Sequence, residues 1–121
     1  MTPGPLATML GLVAAGMALS APADAAAPDL VSANWIRVEE NHAVLSSEGR
    51  DYLFDSYIVP FEQPYYIHVR ARDGGALERA QAERLAEDYI RPRGCTQPLQ
   101  RRPDLDAGDP AEGVLVLGIQ C

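Results

Sequence analysis

The chain contains no lysine, and all ten of its basic residues are arginine. We interpret this absence, together with the richness in alanine, as the coding bias of a GC-rich genome rather than as a functional signal. Histidine, cysteine and tryptophan are also scarce, at two, two and one residues. No serine lies in a nucleophile-elbow sequence, and the two cysteines do not form a C-x-x-C pair. The sequence therefore carries no specific catalytic or cofactor-binding motif, and it resembles no known family.

Positive charge is in the minority, because 17 acidic residues stand against ten basic ones and the net charge is −7. An acidic protein of this kind does not bind nucleic acid or an anionic membrane through its overall field. Internal repeats and long low-complexity tracts are absent from the sequence as well. These features predict one small acidic domain.

The longest apolar stretch, Leu6–Leu19, is shorter than the roughly 20 residues that span a membrane. Pro22 and then Ala23-Asp24-Ala25 follow it, and the tripeptide is of the A-x-A type that signal peptidase cleaves. This pattern predicts a secretory signal peptide over 1–25 and a mature domain over 26–121 with no transmembrane anchor. The first five residues lack the usual Lys or Arg, which leaves a short buried helix as the alternative. We expect an exported protein, either periplasmic or secreted.

The segment 65–71 alternates between two faces, which predicts a strand. The segment 76–91 predicts a helix, because it follows a Gly-Gly break, contains Arg–Glu pairs four residues apart, and precedes Pro92 and Gly94. The apolar run 114–120 predicts a C-terminal strand. Further extended segments are predicted at 35–38, 43–47 and 52–59.

The two cysteines, Cys95 and Cys121, predict a disulfide in an exported chain. Cys95 lies just after the predicted helix and Cys121 just after the last predicted strand. Because bridged Cα atoms lie within about 7 Å, the last strand must run in the direction of the helix and antiparallel to 65–71. The predicted fold is therefore α+β, with a small antiparallel sheet of three to five strands and one helix packed on one face.

The sheet face that points away from the helix is the first candidate for binding. Tyr66, His68 and Arg70 share that face of the predicted strand. Exposed tyrosine contributes contact area at a low entropic cost, so this strip fits a protein or glycan partner. The alternative is that the aromatic residues of the sheet belong to the core.

The second candidate is a cluster of arginines after the helix, of which Arg101 and Arg102 are adjacent. Arginine forks bind carboxylates and phosphates, so the cluster fits an anionic ligand or an envelope protein. The alternative is that the acidic residues that follow, from Asp104 to Glu112, neutralise it within the loop. That acidic run partly resembles an EF-hand loop, but Gly108 and Asp109 stand in reversed order for its sharp turn. We expect no metal site and no cofactor, and leave weak cation binding by the loop open.

Size, export and the absence of a catalytic constellation favour a non-enzymatic envelope or secreted binding module. The alternative is a small periplasmic hydrolase or another enzyme that uses His68 with a nearby carboxylate. An enzyme requires His68 in a concave pocket, whereas a flat exposed strip supports binding. The sequence does not indicate an oligomeric state.

Overall fold

The computed structural model describes residues 30–121, and the predicted signal peptide lies outside the described residues. The described part of the chain folds into an antiparallel sheet with one α-helix packed on it. The strands are β1 (Ile36–Arg37), β2 (Ala43–Ser47), β3 (Arg50–Ile58), β4 (Tyr65–Ala71), β5 (Gln100–Arg101), β6 (Ala107–Asp109) and β7 (Val114–Gln120), and the helix is α1 (Arg79–Gly94). The predicted α+β fold is confirmed.

The predicted number of three to five strands is wrong, because the sheet has seven. The order is β1-β3-β4-β7-β5, with β2 also pairing with β3 and β6 also pairing with β7. β1 and β2 thus lie one after the other along β3, and β5 and β6 lie one after the other along β7. The 3₁₀ turns at Glu39–Asn41 and Pro103–Leu105 separate them. β5 and β6 are too short to show a periodic pattern, so the sequence does not reveal them, whereas β1 and β2 lie within the predicted segments 35–38 and 43–47.

The helix lies three residues further along the chain than the predicted 76–91. It begins after Glu78, whose carboxylate accepts hydrogen bonds from the backbone N–H groups of Ala80 and Gln81. Pro92 lies inside the last turn and does not end the helix. A proline removes the hydrogen bond to the carbonyl four residues earlier, here that of the exposed Asp88, where water can replace it.

The core lies between α1 and one face of the sheet. Leu115, Leu117 and Ile119 of β7 belong to this core, so the larger side chains of the last strand face the helix. Their partners on β4 and α1 are fully or almost fully buried, and they include Ile67, Val69, Ala71, Ala82, Ala86, Tyr89 and Ile90. β4 and β7 are antiparallel neighbours over six residue pairs, which confirms the direction inferred from the cysteines.

Cys95 and Cys121 form the predicted disulfide, with their Cα atoms 4.8 Å apart. Cys95 caps the C-terminus of α1, and Cys121 follows β7. A structural disulfide of this kind fits an oxidising compartment. No helix within residues 30–121 is both long enough and apolar enough to cross a membrane.

Candidate functional site

The open sheet face carries the three residues predicted from the alternation of β4, but it is partly covered. The ring of Trp35 stacks on that of Tyr66, with 4.1 Å between the centroids. Tyr66 and His68 are half-buried, whereas Arg70 is exposed. Trp35 comes from the segment before β1, and the predicted strand at 35–38 gave no indication that its ring covers Tyr66. A binding role for Tyr66, His68 and Arg70 stays a prediction.

His68 stands directly opposite Asp55 across the β3–β4 ladder. The Oδ1 atom of Asp55 lies 2.9 Å from Nδ1 of His42 and 3.2 Å from a guanidinium nitrogen of Arg37. The carboxylate nearest to His68 in the ladder is therefore already shared by a histidine and an arginine. Ser56, next to Asp55, is buried on the helix side of the sheet, so it cannot serve as a nucleophile for this group. The arrangement fits an ion-pair cluster better than a catalytic triad.

The two adjacent arginines of the second candidate are paired inside their own loop. Arg101 donates to Asp106 at 2.7 Å and to the Gly118 carbonyl, and Arg102 donates two hydrogen bonds to Asp104, at 3.1 and 2.9 Å. The guanidinium of Arg102 lowers the pKa of the Asp104 carboxyl below its usual value. This geometry agrees with the alternative in which acidic residues of the same loop neutralise the arginines. Anion binding by Arg101 and Arg102 stays a prediction. No cluster of three or more His, Cys, Asp or Glu within residues 30–121 is placed to hold a metal ion.

Phe61, for which the sequence predicts no functional role, lies at the tip of the β3–β4 loop. Phe61 is fully exposed, and its backbone has a positive φ of 69°. Pro60 and Pro64 bracket the loop, and the Glu62 N–H bonds the Val59 carbonyl at 3.0 Å. A positive φ is costly for a bulky side chain, so the turn holds Phe61 outward at an energetic cost.

Next to this loop lies a groove of about 520 Å³. It is lined by Gln63, Tyr65, Gly94, Thr96, Gln97, Pro98, Gln100, Gln120 and Cys121. None of these lining residues has an ionisable acidic, basic or imidazole side chain, although charged residues make up 22% of the chain. Amide and hydroxyl groups that both donate and accept hydrogen bonds dominate the lining. We call this groove together with Phe61 the disulfide end.

The groove is assembled by long-range structure rather than by a local motif. The disulfide holds the segment after α1 against the end of β7. Gln120 donates to Gln63 at 2.9 Å and so ties the β3–β4 loop to β7. The hydroxyl of Tyr65 donates to the Gly94 carbonyl at 3.1 Å. In the sequence, Pro60 and Pro64 indicate a turn but not a groove beside it.

Comparison with protein-family models, characterised proteins and solved structures finds no match to this chain.

Proposed function

We propose that this chain is an exported, non-enzymatic binding module of the cell envelope or the secreted fraction, and that it contacts a protein partner through the disulfide end. The observation that carries the proposal is the full exposure of Phe61 on a turn with positive φ. A large aromatic residue that contributes nothing to the core, yet is held outward at a backbone cost, is typical of an interface anchor.

The groove complements this anchor. Its side chains of Gln97, Gln100 and Thr96 offer hydrogen-bond donors and acceptors without charge. Peptide groups of an extended partner segment present the same two functions, so an uncharged segment can lie in the groove beside Phe61. No charged side chain lines the groove, so the contact requires no complementary charge on the partner segment.

The enzyme alternative has weaker support. It needs a carboxylate free to serve His68, but the carboxylate of Asp55 opposite it contacts Arg37 and His42. It also needs a nucleophile or a bound water in a pocket, and the groove of the disulfide end lies around Tyr65 and Gln120 rather than around His68. The disulfide supports export, and the intact mass of protein recovered from an exporting host is expected to begin near Ala26. Recovery of an uncleaved form from the cytoplasm would contradict the export proposal.

Partner capture with matched baits tests the binding proposal. Wild-type protein, Phe61→Ala and Val44→Ala are immobilised and exposed to the same envelope extract. Val44 is an exposed apolar residue on β2, distant in the ladder from the β3–β4 loop, so it controls for non-specific binding through apolar surface.

We expect Phe61→Ala to lose the captured partner while Val44→Ala retains it. Both variants should melt close to the wild type, because neither side chain is buried. Equal capture by all three baits would contradict the role of Phe61, and loss with Val44→Ala alone would move the interface to β2.

A further inference from the structure

The outer edge of β2 lacks the features that protect a sheet edge from pairing with another strand. β2 pairs on one side with β3. Its five residues include no charged side chain and no proline, two features that prevent an edge strand from pairing with another chain. The opposite edge of the sheet is different, because β5 and β6 span two and three residues and lie next to Pro103 and Pro110. The two edges of the sheet therefore differ in how well they are protected from pairing with another strand.

Within the described part of the chain, the backbone of β2 also has hydrogen-bonding groups on that edge that no other backbone group uses. Glu48 and Gly49 both have positive φ, which makes the β2–β3 connection a two-residue turn of the primed type. Ser47 and Arg50 close this hairpin, so alternate residues of β2 bond to β3 and the intervening Val44 and Ser46 point outward. No backbone hydrogen bond within residues 30–121 occupies the outward groups of these two residues.

We propose that β2 pairs antiparallel with β2 of a second copy of this chain, about a two-fold axis through Leu45. This register sets Val44 opposite Ser46 of the second copy, and Ser46 opposite its Val44. Each pair exchanges two backbone hydrogen bonds, so the dimer gains four, the most that this strand can form in a symmetric pairing. The two sheets then continue into each other across the axis.

Side-chain chemistry supports the same register. His42 comes to lie opposite Glu48 of the second copy, and the two Leu45 side chains meet on the helix side, where Leu45 already packs against the core. Moving the axis by one residue to Val44 leaves only two hydrogen bonds within the strand. The larger number of hydrogen bonds therefore selects the axis at Leu45, and the absence of charge within β2 lets two acidic copies approach along it.

Sedimentation of two matched variants tests this pairing. Val44→Pro removes an outward N–H that β3 does not use, whereas Val44→Thr keeps the N–H and the β-branched shape but removes the apolar surface. Over about 10 µM to about 1 mM, we expect wild type and Val44→Thr to dimerise with Kd values within about twofold of each other. Val44→Pro should raise the Kd by at least about tenfold, because two of the four hydrogen bonds are lost.

A wild type that stays monomeric over this range would overturn the proposal, as would a Val44→Pro variant that dimerises like the wild type. Loss of the dimer in Val44→Thr would show that apolar contact, and not strand pairing, drives association. Hydrogen exchange of the wild type decides the matter if Val44→Pro does not fold. The amides of Val44 and Ser46 should become protected as concentration rises, while those of Ala43 and Leu45 are protected at every concentration. Amides of Val44 and Ser46 that exchange equally fast throughout would overturn the register.

Discussion

Replacing Cys95 and Cys121 with serine together removes the disulfide without leaving a reactive thiol. The bridge joins residues 26 positions apart in the sequence. In the chain-entropy description, opening a loop of that length stabilises the unfolded state by about 3.5 kcal/mol. A domain of this size has a free energy of unfolding of about 5–10 kcal/mol, so the double variant should lose a third or more of its stability.

The structure shows where the native state should loosen. β7 is paired with β4 on one side and with β5 and β6 on the other, so it should stay in place without the disulfide. The segment 95–99 has fewer restraints, chiefly the long 3.5 Å hydrogen bond from the Thr96 N–H to the Cys121 carbonyl. Loss of the bridge should therefore widen the groove before it disturbs the sheet.

Denaturant titrations measure the effect, with two probes that report on different parts of the fold. Far-ultraviolet circular dichroism follows the sheet and helix, and the fluorescence of Trp35, the single tryptophan, follows the stack on Tyr66. Coincident transitions would justify a two-state free energy of unfolding. A double variant within about 1 kcal/mol of the wild type would refute the reasoning, since it would mean that the unfolded chain gains little freedom from the open loop. Wild type in reductant serves as the control and should match the double variant.

Two further changes test individual contacts. Tyr89→Phe should destabilise the domain by about 1–2 kcal/mol, because the buried Asn41 carbonyl loses the hydrogen bond that the Tyr89 hydroxyl donates at 2.6 Å. Tyr65→Phe is the matched control and should lower the free energy of unfolding by less than about 0.5 kcal/mol, because Gly94, the acceptor of its hydroxyl, lines the open groove. Equal losses of stability in the two variants would contradict this account. The pKa of Asp73 is lowered from 3.8 to about 2 by the hydrogen bond from Arg50 and by the Gly75 N–H. The ionised form of Asp73 therefore stabilises the fold above pH 3.8, and that contribution is lost as the pH falls through about 2. Asp73→Asn should therefore melt below the wild type at pH 7, and the gap in Tm should close on acidification between those two values; a gap that persists at pH 2 would contradict the assignment.

The inner part of the fold could be predicted from the sequence because its signals are local and strong. The alternation of β4 and the apolar run of β7 fixed two neighbouring strands, and the cysteine positions fixed their relative direction. The helix start was shifted because Glu78 caps it, and glutamate is not among the preferred N-cap residues. The edge strands β5 and β6 were missed because they are too short to show a periodic pattern, whereas β1 and β2 lie within the predicted segments 35–38 and 43–47.

The candidate site was harder to predict than the fold. The groove of the disulfide end collects glutamines from the β3–β4 loop, from the segment after α1 and from β7, and no local pattern connects them. Alternation along β4 correctly placed Tyr66 and His68 on the open face. It could not show that Trp35, some thirty residues earlier, covers Tyr66. Exposure of Phe61 likewise follows from the geometry of one turn.

The proposed binding surfaces differ in how far their charged groups are already paired within the chain. Arg37, Arg50, Arg101 and Arg102 each pair with an aspartate at 3.2 Å or less. An anionic partner of Arg101 and Arg102 would have to compete with Asp104 and Asp106, and its affinity would fall steeply with salt. A partner of the disulfide end meets no charged side chain in the groove, so its affinity should change little with salt. The salt dependence of partner capture therefore distinguishes the two surfaces, and the pairing of the arginines within the fold favours the uncharged one.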